Sequence, residues 1–193
     1  MNIILNFLLI SIVYCRIHKN NVPIPDNLPL WQLGNQESNV QVRVFYDMLC
    51  PDSREAHRIW KELLPQQSPE NGKSYSEYLS LEVTPFVLPY HVHSYQMTQI
   101  IPYLIDVCAA NSSQCYMDDY AQFCFDNLNW IAKADDKSED EFTKTWALLV
   151  SKKFGLQVTD ILKLYTKIDT HKTDSRVRQY WKYGASIGIS GAP

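Results

Sequence analysis

The residues of this chain that could do chemistry are gathered in one tetrapeptide, Cys50-Pro51-Asp52-Ser53. A cysteine thiolate is a strong nucleophile, and it is favoured at a helix N-terminus, where the helix dipole is positive. The tetrapeptide stands at such a junction, because it follows a strand-like run and opens a helix-like one. The spacing therefore predicts thiol chemistry at Cys50. The alternative that the same spacing allows is a buried cysteine without a chemical role.

Two predicted strands and a helix position the tetrapeptide. Residues 41–48 alternate and are rich in β-branched and aromatic side chains, which predicts a strand. Residues 52–64 have helical character, and both Pro51 and Asp52 are favourable at a helix start. Residues 78–86 alternate again and predict a second strand. A strand, a helix and a strand with a connection of this length predict a βαβ unit with parallel strands.

The remainder of the chain is predicted to be mainly helical, and no third strand is predicted. The helical patterns cover residues 94–110, 117–132, 138–153, 158–168 and 175–185. The polar stretch 16–40 contains three prolines and is interpreted as an extended lead-in.

The N-terminal segment, residues 1–15, has the composition of a secretory signal. It contains an apolar run too short to span a bilayer comfortably, and polar residues follow it. We interpret this segment as a signal peptide, with an uncleaved membrane anchor as the alternative. The protein is therefore expected to be secreted or in the endomembrane lumen, with no membrane contact beyond such an anchor. Asn111 begins an Asn-x-Ser sequence, a glycosylation acceptor in that compartment.

Composition is that of a soluble globular protein and points away from nucleic acid. The chain has 193 residues, of which 46% are hydrophobic, and its formal charge is −3. No basic cluster is present, so no nucleic-acid partner is expected. Neither a C-x-x-C pair nor a helical histidine pair indicates zinc, so no metal site is expected.

Three cysteines lie close together in the second half of the chain, at Cys108, Cys115 and Cys124. In an oxidising compartment they could supply one disulfide and leave one thiol, and the spacing leaves the pairing open. Cys115 and Cys124 could instead be helix-core residues, because free cysteine is among the more buried residue types.

Three segments carry a resemblance to a known family: residues 47–54 around the tetrapeptide, residues 89–91, and residues 182–193, which end Gly-Ile-Ser-Gly-Ala-Pro. Residues 41–193 resemble the thioredoxin-like fold of the DsbA-like thiol oxidoreductases, and more narrowly an uncharacterised eukaryotic subfamily. The Cys-Pro-Asp-Ser stretch is also similar to gamma-interferon-inducible lysosomal thiol reductases. The resemblance implies an α/β fold, a thioredoxin-like sheet with a large helical insertion at about 94–170. It also implies strands after the final proline that this sequence lacks, so the chain looks truncated there.

The resemblance also implies roles for individual residues. Cys50 is the nucleophile, and Pro193 corresponds to a proline that the family holds in the cis form opposite the cysteine; the alternative for Pro193 is a trans proline. A histidine near the cysteine could accept a proton; for His91 the alternative is a structural role. The residues assigned to substrate contact are Pro51, Asp52, Ala192 and His91.

Ser53 stands where the family has its resolving cysteine. A dithiol enzyme releases a mixed disulfide by internal attack, which a serine cannot make, although its hydroxyl could donate a hydrogen bond to the thiolate. A C-x-x-S monothiol can still isomerise protein disulfides or exchange glutathione with an external thiol. We therefore expect a monothiol thiol-disulfide oxidoreductase or isomerase acting on protein or peptide disulfides, without a bound cofactor and with glutathione as a co-substrate.

Two further hypotheses are kept beside this one. The first is a non-catalytic thioredoxin-like module that binds extended polypeptides, in which Cys50 is a remnant. The second is a glutathione-dependent transferase or isomerase of the related kappa type, for which no glutathione-binding motif is present.

Overall fold

The computed structural model describes residues 23–26, 28–69 and 72–193, so the predicted signal peptide lies outside the described residues. Three strands form one sheet: β1 (Trp31–Gly34), β2 (Gln41–Tyr46) and β3 (Ser80–Pro85). Strand β3 lies in the middle, antiparallel to β1 and parallel to β2. The predicted pair of parallel strands is therefore confirmed.

Strand β1 lies in the stretch that was interpreted as a lead-in, so the prediction of only two strands is wrong. Its first residue, Trp31, is buried in the core at 2% exposure. The strand ends at Gly34, whose φ is +79°. A side chain on Gly34 would place its Cβ 2.5 Å from the carbonyl oxygen of Leu79, so this turn requires glycine.

Helix α1 (Pro51–Leu63) and the short helix α2 (Tyr75–Tyr78) connect β2 to β3. The other helices follow β3: α3 (Ser94–Thr98), α4 (Ile100–Ala110), α5 (Met117–Asp126), α6 (Leu128–Ala132), α7 (Glu139–Phe154), α8 (Val158–Lys163) and α9 (Thr173–Ser186). The predicted helices 94–110 and 117–132 are thus each divided in two, and α2 was not predicted. In the described ranges, no helix has both the length and the apolar composition for crossing a bilayer.

The helices after β3 are joined by a core of aromatic side chains. The Trp146 indole on α7 donates a hydrogen bond to the Tyr120 hydroxyl on α5, at 3.0 Å. That hydroxyl donates to the Met97 carbonyl on α3, at 2.7 Å. All three residues are fully buried, so the Trp146 indole, the Tyr120 hydroxyl and the Met97 carbonyl satisfy one another's hydrogen bonds.

Helix α9 returns to the sheet and packs on the side chains of Phe45 and Phe86. The approach is close at Gly184, where a Cβ would lie 2.7 Å from the Phe86 ring. On the same part of the sheet, the buried carboxylate of Glu82 accepts hydrogen bonds from Arg43 Nε at 2.7 Å and Gln32 Nε2 at 3.1 Å. We call Gln32, Glu82 and Arg43 the polar row, because they lie opposite one another on the three strands.

Candidate active site

Cys50 lies between the end of β2 and the start of α1, as the sequence predicted. It is the N-cap residue of α1, with extended backbone angles. Its carbonyl accepts the first helical hydrogen bond, from the Arg54 amide at 3.1 Å. Pro51 is the first helical residue, a position whose N–H has no acceptor within the helix, so the missing N–H of proline costs no hydrogen bond. The helix begins one residue before the predicted range 52–64.

The Cys50 side chain is buried, with 5% of its surface exposed. It belongs to a small apolar cluster with Phe45, Phe86 and Leu88, against which Ile189 and Ala192 also pack. No amide of the first turn of α1 caps the sulfur; in the described structure its hydrogen bond is to the Pro193 carbonyl oxygen, at 3.6 Å. The thiol therefore faces the end of the described chain rather than the helix axis.

The stretch after α9 reaches Cys50 through a turn at Gly188, whose φ is +82°. The Ile189 amide donates a hydrogen bond back to the Gly184 carbonyl at 2.9 Å, which directs the chain away from the helix and over the cysteine. The structure thus brings Ala192 and Pro193 to Cys50, and their role in substrate contact stays a prediction.

The peptide bond before Pro193 is trans, because no cis peptide bond occurs among the described residues. The expectation of a cis proline is therefore wrong for this structure. The trans form of an X–Pro bond is favoured by about 0.5–1 kcal/mol, and a cis bond needs packing that offsets this preference. Pro193 is exposed, so its ring gains little packing energy.

Ser53 is fully buried on the inner face of α1. Its Oγ accepts a hydrogen bond from the Asp47 amide at 3.2 Å, and within the described contacts no hydrogen bond joins it to Cys50. Ser53 therefore closes the turn between β2 and α1. Its neighbours Pro51 and Asp52 are both exposed, on the outer side of the same turn.

Asp47, whose role no sequence signal indicated, is a fully buried carboxylate three residues before Cys50. One oxygen, Oδ1, accepts from the Leu49 amide at 2.7 Å and the Ser94 hydroxyl at 2.8 Å. The other, Oδ2, accepts from the Leu88 amide at 2.6 Å. The carboxylate therefore joins residues 47–50, which we call the cysteine turn, to the loop after β3 and the start of α3.

His91 lies beside this carboxylate, with its Nδ1 atom 3.2 Å from Asp47 Oδ2. The Nδ1 atom is buried, and its approach to the carboxylate is too poorly aligned for a hydrogen bond. The two groups are close enough to form an ion pair, which requires a protonated ring. The ring also meets the exposed Tyr90 side chain edge to face, with 4.8 Å between ring centroids. His91 thus lies next to the turn that carries Cys50, and its role as a proton acceptor stays a prediction.

A cavity of about 300 Å³ opens beside the cysteine turn. Leu49, Pro51 and Arg54 line one side, the loop at Tyr90–Val92 another, and helix α6 with Asp135 the third. Its surface is mostly apolar, with a cationic group at Arg54 and an anionic group at Asp135. Cys50 itself is not among the residues that line this cavity.

His93, which follows β3 as His91 does, makes structural contacts with the helices. Its ring is buried and stacked on Phe142, with centroids 4.0 Å apart. Its Nε2 atom lies 3.0 Å from the Ala134 carbonyl oxygen. His93 therefore attaches the loop after β3 to the helices and takes no part in the site.

The other three cysteines divide into a disulfide and a free thiol. Cys108 and Cys115 form a disulfide between the end of α4 and the start of α5, with Cα atoms 4.4 Å apart. Cys124 is free and fully buried in α5, and burial raises the pKa of its thiol. In the part of the chain that the structure covers, no group of three or more histidine, cysteine or acidic side chains could hold a metal ion.

Comparison with solved structures identifies a similar fold. The chain matches the crystal structure of a "putative protein-disulfide isomerase" from Pseudomonas syringae with a TM-score of 0.58 and 14% sequence identity. The match covers 84% of this chain and 82% of that chain. No family model matches, and no curated protein matches. At this identity the shared property is the fold: a mixed α/β, thioredoxin-like fold of the DsbA type, with a small three-stranded sheet and many helices. The predicted fold class is confirmed.

Proposed function

We propose that this protein is a monothiol thiol-disulfide oxidoreductase or isomerase with Cys50 as its nucleophile. The observation that carries the proposal is the place of Cys50, at the carboxyl end of β2 and the N-cap of α1, with its sulfur 3.6 Å from the Pro193 carbonyl oxygen. The thioredoxin-like fold supports it. The three segments of sequence resemblance support placing the chain in the uncharacterised eukaryotic DsbA-like subfamily.

The proposed reaction is thiol-disulfide exchange. The Cys50 thiolate attacks one sulfur of a substrate disulfide, so that a Cys50–substrate S–S bond forms and the substrate S–S bond breaks. The released thiolate takes up a proton. A second thiol then attacks the mixed disulfide and frees Cys50, since Ser53 has no sulfur. When that thiol belongs to the substrate, the disulfide is isomerised without net redox change; when it is glutathione attacking a Cys50–glutathione disulfide, oxidised glutathione leaves.

Substrate access in this proposal requires a movement of residues 189–193. The sulfur is buried and engaged by the Pro193 carbonyl, so a substrate must displace that contact before it reaches the thiol. The Ala192 backbone would then lie along the incoming peptide, while Pro51 and Asp52 flank it on the helix side. Glutathione serves as co-substrate, and no bound cofactor is proposed.

Asp47 and His91 have supporting roles. Asp47 fixes the turn that carries Cys50 and holds the loop that carries His91. His91, at the cavity edge, accepts the thiol proton when the site opens. The cavity beside the turn receives the peptide that flanks the reacting disulfide. We place this activity in the secreted or endomembrane lumen, on the basis of the apolar N-terminal segment.

The test follows the reduced protein during incubation with a glutathionylated peptide, with products resolved by mass spectrometry. We expect the wild type to form a mixed disulfide at Cys50 with release of one equivalent of thiol, and an excess of added thiol should then resolve it. Cys50→Ser should form none, and Cys124→Ser is the matched control that should behave like the wild type. Ser53→Cys should release the mixed disulfide without an added thiol. Absence of any adduct at Cys50 in both wild type and Ser53→Cys would contradict the proposal.

The 5% exposure of Cys50 favours one second candidate, a non-catalytic module that binds extended polypeptides. Under that hypothesis, the Cys50→Ala variant binds unfolded, cysteine-free peptides as tightly as the wild type does, and no mixed disulfide forms. Under the proposed enzyme, adduct formation and turnover both depend on Cys50. Measuring peptide binding and exchange on the same two proteins separates the two functions.

A further inference from the structure

We infer that Asn111 is an N-glycosylated residue, modified on the turn between α4 and α5. The inference rests on the proposed luminal location and not on the chemistry of Cys50. Residues 111–113, Asn-Ser-Ser, contain the chain's single Asn-x-Ser/Thr sequence, so one acceptor is available. Asn111 and both serines are exposed in the folded protein.

The acceptor groups are already side by side in the turn. The carboxamide oxygen of Asn111 accepts hydrogen bonds from the Ser113 amide at 3.1 Å and from the Ser113 hydroxyl at 2.8 Å. The carboxamide nitrogen, Nδ2, donates no hydrogen bond to any described residue. The oxygen is therefore held by the serine that the acceptor motif requires, while the nitrogen that would carry the sugar stays available.

The disulfide between Cys108 and Cys115 encloses this turn. Cys115 is exposed, so the bond would meet a reducing solvent directly in the cytosol, whereas it persists in an oxidising compartment. An exposed disulfide and an exposed acceptor sequence in the same eight residues both fit the secretory lumen. They are independent observations, because a disulfide does not require a sequon.

The modification is a group transfer without redox change. The Asn111 Nδ2 atom forms a bond to C1 of the first sugar of a lipid-linked oligosaccharide diphosphate. The bond between that C1 and the diphosphate oxygen breaks, and the lipid diphosphate leaves. The Nδ2 proton goes to a base of the transferase.

A glycan here would leave the proposed site open. Helix α4 begins just after α3, whose first residue, Ser94, contacts Asp47. Asn111 lies beyond the other end of α4, about 16 Å along the helix axis for its 11 residues. We therefore expect the glycan to change solubility and protease resistance and to leave exchange at Cys50 unchanged.

The test expresses the full chain in eukaryotic cells with a secretory pathway and measures the mass before and after treatment with an N-glycosidase. Wild type and Ser113→Thr should both lose mass, and peptide mapping should show Asn111 converted to aspartate. Asn111→Gln and Ser113→Ala should show no change. Ser113→Thr keeps the hydroxyl, so it is the matched control for Ser113→Ala.

A second form, in which a heterologous secretory leader replaces residues 1–15, keeps every outcome decisive. Modification of the native chain at Asn111 supports the inference. Modification of the leader-bearing form alone would overturn it, since the native chain would then not reach the lumen. Absence of modification in both would overturn it as well, because the folded turn would not be an acceptor. Exchange by Cys50, measured on the same proteins, reports on the proposed function independently.

Discussion

Cys50 and Cys124 are both free thiols and both buried, yet they are covered in different ways. Cys124 lies inside α5 at 0% exposure, close to the buried Tyr120 and the partly buried Tyr165. Cys50 is covered on one side by residues 187–193, which form no helix or strand. The contact of this stretch with the thiol is a single hydrogen bond and a few apolar side chains.

Two thiols that are both buried can therefore differ in how easily a reagent or substrate reaches them. Exposure of Cys124 requires the separation of packed helices, which approaches global unfolding. Exposure of Cys50 requires only the displacement of an irregular segment, and such local openings have lower free energies. A thiol that must contact a substrate is therefore expected under an irregular segment that can be displaced locally.

The largest expected effect is on native-state alkylation of the two thiols. Cys50 should react through local opening, whereas Cys124 should react about 10³-fold more slowly, because its exposure requires most of the stability of the fold. Replacing Ile189 by Ala should accelerate Cys50 alone, since that side chain packs over the cysteine cluster. The matched control is Ile187→Ala, whose side chain is 52% exposed. Equal alkylation rates for the two thiols would refute the distinction.

The next effect concerns the carboxylate under the cysteine turn. Asp47→Ala should lower the free energy of unfolding by about 3 kcal/mol or more, since it leaves one buried amide, one partly buried amide and a buried hydroxyl without their acceptor. Asp52→Ala, which removes an exposed carboxylate from the first turn of α1, should cost about 0.5 kcal/mol. Urea unfolding at neutral pH measures both. A loss in Asp47→Ala no greater than in Asp52→Ala would show that the network does not hold the turn.

A smaller effect is expected where α9 meets the sheet. Gly184→Ala should cost about 2 kcal/mol, because the new methyl group would meet the Phe86 ring at 2.7 Å and this outweighs the better helix propensity of alanine. Since Phe86 also packs on Cys50, alkylation of Cys50 should rise more than the stability loss alone explains. Gly191→Ala is the control, with no atom within 4 Å of its Cβ. Indistinguishable unfolding curves for the two variants would contradict the packing argument.

The smallest expected effect is on the pH dependence of the free energy of unfolding. Its source is His57, on the side of α1 that faces α5. Burial lowers the pKa of His57 below its ordinary value of 6.5; the charges near its ring are Asp118 and Asp126, which oppose the shift, and Lys61, which adds to it. A depressed histidine pKa means that the unfolded chain binds the proton better than the folded chain does. The stability that neutral His57 contributes is therefore complete above the ordinary pKa of 6.5 and declines as the pH falls below it. His57→Phe should flatten the fall in the free energy of unfolding between about pH 8 and pH 5.

Asp118→Asn tests the same cause from the other side. The Asp118 carboxylate lies 3.8 Å from His57 Nε2 and opposes the pKa shift. Its removal should lower the pKa of His57 further, so that the loss of stability continues to lower pH. Unfolding curves of His57→Phe that keep the wild-type pH dependence would exclude His57 as the source.

The sequence predicted the β2–α1–β3 unit because its signals are local: alternation in both strands and a proline at the start of the helix. It missed β1 because Trp31–Gly34 is only four residues long, and a strand this short shows no period. Such a strand is specified by its pairing with β3, whose partner residues are 46 to 52 positions away in the chain.

The candidate site was predicted only where its residues are adjacent in the sequence or implied by resemblance. Asp47 has no local signal, since its partners Leu88 and Ser94 come 41 and 47 residues later. The choice of Cys108 and Cys115 as the disulfide pair depends on how α4 ends and α5 begins, which the spacing left open. The isomer of the bond before Pro193 depends on packing around the ring, which no motif encodes.

The polar row of Gln32, Glu82 and Arg43 has a consequence for the strand register. If β2 slipped by one residue along β3, a valine would face Glu82 and the buried carboxylate would lose its cation, which is a large penalty. The polar row therefore fixes the register between β2 and β3, in a sheet that has three strands in the described chain. A slip would also carry the end of β2, and with it Cys50, about 3.3 Å along the strand direction. An ion pair in the middle of β2, seven residues before Cys50, therefore sets the position of the thiol.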